Sequence, residues 1–165
     1  MSFDWNIKDK KLGAALSNGA EHKSPYLVLA DIGDVIAQKT HNILYTVLNE
    51  GRMFDASGRL SDEVHVVMAI FSNLRADAEG TNLGGDLLHI YYKYKQPWPL
   101  LRLTVFPPPR QNDAGIWVTE GGTLHPIYDK YTISNPTVLE KVVAEVLELD
   151  EIDQWLASLV NPEAR

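Results

Sequence analysis

The chain has 165 residues, no cysteine and a formal net charge of −7, with 45% hydrophobic and 22% charged residues. That length suits one domain burying roughly 70% of its unfolded surface, and the composition is that of a globular protein. The absence of cysteine excludes thiol catalysis, CxxC redox chemistry and thiolate zinc sites, and the acidic balance argues against non-specific nucleic-acid binding, which needs many Lys and Arg against phosphate.

Residues 1–23 are the least determined part of the chain. Phe3, Trp5 and Ile7 alternate as a short edge strand would, and Leu12 and Leu16 fit one helical turn. The first sixteen residues carry no continuous apolar core of the kind a secretory signal has, and no apolar run reaches the ~18–20 residues of a membrane span. A cytoplasmic protein without a membrane anchor is therefore expected.

Ser24-Pro25 is a helix start, a hydroxyl cap followed by proline where its missing N–H costs nothing. Leu29, Ile32, Val35, Ile36, Ile43 and Val47 then recur at helical spacing, which predicts one long helix from Tyr26 to about Glu50, closed by Gly51. Gly33 could soften or divide it. Residues 53–60 read as a loop. Ser61 would cap a second helix running to Glu79-Gly80, with Val64, Val67, Met68, Phe71 and Leu74 as its apolar face and His65, Ala69, Ser72 and Ala76 as a row of mostly small residues.

After residue 85 the period changes from 3.6 to 2. Asp86 to Lys95 reads as a strand with Leu88, Ile90, Tyr92 and Tyr94 on one face and His89, Tyr91, Lys93 and Lys95 on the other. The segment Gln96-Pro97-Trp98-Pro99 makes the connection. Leu100 to Phe106 is a second strand with Leu101, Leu103 and Val105 inward, ended by prolines 107–109. Residues Ile116 to Thr119 form a third strand, and Thr123 to about Ile133 a fourth. Asn135-Pro136 repeats the cap-then-proline signal for a helix carrying Leu139, Val142, Val143, Val146 and Leu147. Asp150 would cap a last short helix carrying Ile152, Trp155, Leu156 and Leu159. The expected architecture is a single α+β domain over residues 1–165, with two N-terminal helices, a four-stranded antiparallel meander and C-terminal helices.

Three constellations could carry function. Asp31, Asp34, Gln38, His41, Tyr45 and Asn49 would share one face of the long helix; this reads as a solvated stripe, since no ExxH or HExxH core accompanies it. His89, Tyr91, Lys93 and Arg102 would line the outward face of a hairpin, where the cations suit phosphate or carboxylate and the rings suit stacking. The third is the acidic end. Residues 136–165 hold seven carboxylates against two basic side chains. Clustered charge of this kind steers an oppositely charged partner.

No phosphate loop, nucleophile elbow or metal spacing is present, so no metal and no cofactor are expected and catalytic residues are not identifiable. The leading expectation is a non-enzymatic interaction protein, an inhibitor or immunity-type binder that engages a basic protein through Glu145, Glu148, Glu151, Asp153 and Trp155. The alternatives are a small enzyme or ligand-binding domain using His89, Tyr91, Lys93 and Arg102 as an anion site, and a subunit of a larger assembly with an apolar patch around Trp98 and Pro107 to Pro109.

Overall fold

The computed structural model describes residues 23–114, 117–119 and 121–161. The expected elements around Phe3 to Leu16, Ile116 and the acidic residue Glu163 lie outside the described residues, as do the side chains of Trp117, His125 and Pro126.

Helix α1 (Pro25–Lys39) begins as its sequence dictates, with Ser24 Oγ accepting the Leu27 N–H at 3.3 Å. It stops at Thr40, whose hydroxyl donates to the Ile36 carbonyl at 2.8 Å and accepts the Leu44 N–H at 3.1 Å. His41 and Asn42 then take positive φ, 52° and 62°, and the Asn42 N–H closes on the Ala37 carbonyl at 2.7 Å. This is a left-handed helix stop of the kind Asn tolerates.

Strands β1 (Leu44–Phe54) and β2 (Leu60–Ala76) follow where helix was expected, then β3 (Asn82–Lys93), β4 (Arg102–Val105), the short pair β5 (Arg110–Gln111) and β6 (Trp117–Val118), and β7 (Leu124–Asp129). Helices α2 (Pro136–Leu147) and α3 (Asp150–Val160) complete the described chain. The main sheet is antiparallel in the order β1-β2-β3-β4-β7, with β5 and β6 paired separately.

The α+β class stands, but its parts need correction. Among the described residues there is one N-terminal helix rather than two, and the main sheet has five strands rather than four. The segment expected as a second helix is β2. Its fully buried residues are Val64, Val66, Met68, Ile70 and Ser72, a period of two. The third expected strand pairs with β5 outside the main sheet, while the fourth, β7, docks on β4.

Two turns of one design connect β1 to β2 and β2 to β3. Asp55 Oδ1 accepts the N–H groups of Ser57 and Arg59 at 2.9 and 3.0 Å, and Asp77 Oδ1 accepts those of Glu79 and Thr81 at 2.9 Å each. Gly58 and Gly80 supply positive φ of 80° and 84° at the matching positions.

The helices cover one face of the sheet. Gly33 of α1 lies so close to β1 that a Cβ there would come 2.1 Å from Thr46 Oγ1. Gly33 is thus a contact point and does not divide the helix. At the other end Ser72 Oγ donates to the Leu159 carbonyl of α3 at 2.7 Å. Asn135 caps α2 by accepting the Val138 N–H at 3.0 Å. The N-cap of α3 is Leu149, and Asp150, Glu151 and Asp153 occupy its first turn, where carboxylates favour the positive helix end.

Candidate functional site on the outer sheet face

Alternation along the strands sends every second side chain to the face opposite the helices. Register then brings residues far apart in sequence into rows. Gly51 of β1 stands opposite His65 of β2, His65 opposite Tyr91 of β3, Tyr91 opposite Arg102 of β4, and Arg102 opposite Asp129 of β7. One row therefore crosses all five strands. The next row joins Asn49, Val67, His89 and Thr104.

Within these rows the contacts are directional. The His65 and Tyr91 rings stack nearly parallel, with centroids 4.5 Å apart and an interplanar angle of 3°. The Arg102 guanidinium lies 4.5 Å from the centre of the same Tyr91 ring, a cation–π contact. His89 packs against Phe106 at 4.2 Å between centroids. A chain of polar contacts links the rows: Asp86 Oδ2 is 3.1 Å from His89 Nε2, and His89 Nδ1 is 2.9 Å from His65 Nε2.

The tautomers follow from the carboxylate. Ionised Asp86 only accepts, so His89 carries its proton on Nε2 and presents a lone pair at Nδ1. His65 then donates from Nε2 when no other cation intervenes. Its proton affinity is pushed down, first by burial and then by the repulsion a second proton on the His89–His65 pair would meet and by Arg102, with Glu63 and Asp86 opposing. The face stays open beside His65, because a Cβ at Gly51 would meet nothing within 4 Å.

The structure thus brings His89, Tyr91 and Arg102 together as the strand pattern implies. Lys93 is exposed on the same face, opposite Glu63 of β2. His65, Asp86 and Phe106 join them without having been singled out. An alternating reading of residues 63–71 would have placed His65 on this face; the helical reading hid it.

The acidic residues are dispersed and partly in use. Exposed Glu145 accepts from the Tyr128 hydroxyl at 3.2 Å; burial first, and then this carboxylate, raise the Tyr128 pKa. Glu148 is exposed at the end of α2, and Glu151 lies 3.5 Å from Arg110. Asp153 is half-buried in the first turn of α3. Trp155 is only 7% exposed and belongs to the core beside Gly85.

The supposed stripe of the long helix dissolves. Asp31 pairs with Lys23 and Asp34 remains on α1, His41 is in the turn, and Tyr45 and Asn49 belong to β1. A cavity of about 220 Å³ is lined by Phe71, Leu83, Pro109, Trp155 and Leu159. Its one carboxylate, Asp77, is committed to the β2–β3 turn. No helix among the described residues is long and apolar enough to cross a membrane.

Comparison with family models, curated proteins and solved structures finds no match. Function therefore has to be argued from the geometry of this face.

Proposed function

We propose that this protein binds a small ligand in which an anionic group is attached to a planar ring, and that it does so on the outer face of the sheet. The observation that carries this reading is the stacked row of His65, Tyr91 and Arg102 across three adjacent strands. Arg102 is exposed and offers a planar set of donors suited to phosphate or carboxylate. Lys93 adds a second exposed cation on the same side. Both faces of Tyr91 are taken by His65 and Arg102, so the surface left for stacking is the open side of the His65 ring beside Gly51. Because the row is held by cross-strand packing, little side-chain order has to be created on binding.

The acidic helices support a weaker reading. Glu145 and Glu151 already have intramolecular contacts, and Trp155 is withdrawn into the core. A basic partner would have to compete for those carboxylates and would gain no aromatic anchor from the indole.

The test is a calorimetric titration with inorganic phosphate, phenyl phosphate and adenosine monophosphate as probes. The ring-bearing anions are expected to bind more tightly than phosphate alone. Arg102→Ala should weaken them about tenfold, as loss of one charge-assisted contact does, and Tyr91→Ala by a similar factor, because its ring holds His65 and Arg102 in place. Equal binding by the wild type and both variants, or no binding of any probe, would overturn the proposal.

A further inference from the structure

The anion site uses the face of the His65 ring and leaves open what lies between the two imidazoles. His89 Nδ1 and His65 Nε2 are 2.9 Å apart, with ring centroids at 4.8 Å and planes tilted by 46°. Two nitrogens each about 2.1 Å from one metal ion stand about 3.0 Å apart at a right angle and about 3.4 Å apart at the tetrahedral angle. The observed separation suits a shared proton; a shared cation needs a few tenths of an ångström more and both rings turned so that their lone pairs meet about 35–45° off the N···N line. The partner of His89 favours the second use as well. A histidine that binds metal through one nitrogen commonly donates its other N–H to a carboxylate, which fixes the tautomer and aims the lone pair. Asp86 stands in that position at 3.1 Å.

We infer that His65 and His89 form a two-imidazole chelate for a divalent transition metal such as Zn²⁺, with Asp86 as the positioning carboxylate behind His89. The metal takes the place of the proton between the rings, and that proton moves to Nδ1 of His65, which stays neutral. Most of the site is in place, because the His65 ring is stacked on Tyr91, the His89 ring packs against Phe106 and both ligands stand on paired strands of one sheet. Among the described residues no group of three His, Asp or Glu side chains converges on a metal position. Water or an added anion would therefore complete the coordination shell, as in sites that exchange ligands.

The charges around the pair act in both directions: Arg102 opposes a cation, while Glu63 and Asp86 attract it. This inference goes beyond the anion-binding reading and stands without it, since Arg102 and Lys93 do not ligate the metal.

The experiment uses the full chain stripped with EDTA and titrated with Zn²⁺ by calorimetry near neutral pH. The Cu²⁺ form is examined in parallel by electron paramagnetic resonance. One equivalent should bind, and the copper spectrum should show coupling to two nitrogens. His65→Gln and His89→Gln should each weaken binding at least tenfold. Asp86→Asn, a change at a half-exposed residue, should weaken it by about tenfold to a hundredfold with an unchanged melting temperature in EDTA. No binding by the wild type would overturn the inference. So would binding that survives unchanged in the His65→Gln, His89→Gln double variant, because the metal would then lie on other residues.

Discussion

The two faces of the sheet are built from the same strands but held by different forces. Toward the helices, Val64, Val66, Met68, Ile70, Leu88, Ile90 and Leu103 are fully buried and meet one another through apolar contact. Such contact is strong and non-directional. On the other face His65, His89, Tyr91 and Arg102 keep some exposure and meet through a stack, a cation–π contact and a chain of nitrogen and oxygen contacts. Those contacts contribute less to stability, but they fix angles and leave donors and lone pairs in set directions. A face of that kind suits recognition, whereas the opposite face holds the fold together.

Neighbouring residues test the contrast most sharply. Ile90 and Tyr91 are adjacent in β3 and point to opposite faces; Ile90 is fully buried and Tyr91 half-exposed. Ile90→Ala is expected to cost about 3 kcal/mol through lost burial and a residual cavity. Tyr91→Ala should cost about 1 kcal/mol, the scale of a cross-strand pair, while weakening ring-bearing anions. Equilibrium denaturation of the two variants checks this. Equal losses would mean that the outer face is a second core and would end the distinction.

A smaller effect probes how the helices sit on the inner face. Gly33→Ala should cost about 2 kcal/mol, because the added methyl meets the short Thr46 side chain and overpacks a fitted contact. Combining it with Thr46→Ala should recover part of that loss, since the nearest clashing atom, Oγ1, is then gone. A double-mutant cycle measures the coupling. Simple additivity of the two losses would show that α1 does not rest on β1 through this pair.

Much of this architecture was legible where local chemistry decides it. Ser24-Pro25 and Asn135-Pro136 cap their helices in the way their side chains require, and β3 alternates from Leu88 to Tyr92 as a strand solvated on one side does. The first half of the sheet was misread because its apolar residues satisfy two periods at once. Val64, Val67, Met68 and Phe71 fit a helix face, while Val64, Val66, Met68 and Ile70 fit a strand. The deciding signal was present in the turns, where Asp55-Ala56-Ser57-Gly58 and Asp77-Ala78-Glu79-Gly80 repeat one pattern at the two ends of β2. The meeting of His65 with His89 depended on the register of β2 against β3, a long-range pairing that no local pattern encodes.

The smallest expected effect is a dependence of stability on pH that belongs to the outer face alone. His65 binds its proton less readily in the folded chain than its ordinary value of 6.5 implies, chiefly through burial and then through His89 and Arg102. The unfolded chain therefore holds more protons at this position just below pH 6.5, and stability rises with pH wherever that is so. The contribution is fully present above the unfolded value. It declines as the pH falls below that value and levels off below the depressed folded value. Glu63 and Asp86 act in the opposite sense and limit its size. His65→Gln removes the titration, so the variant's melting temperature should fall less than the wild type's between about pH 7 and about pH 5.5. Melts of both proteins in EDTA, which removes any metal between the imidazoles, measure the difference. Parallel curves would show that His65 titrates alike in the folded and unfolded chain, and that its place in the row does not set its protonation.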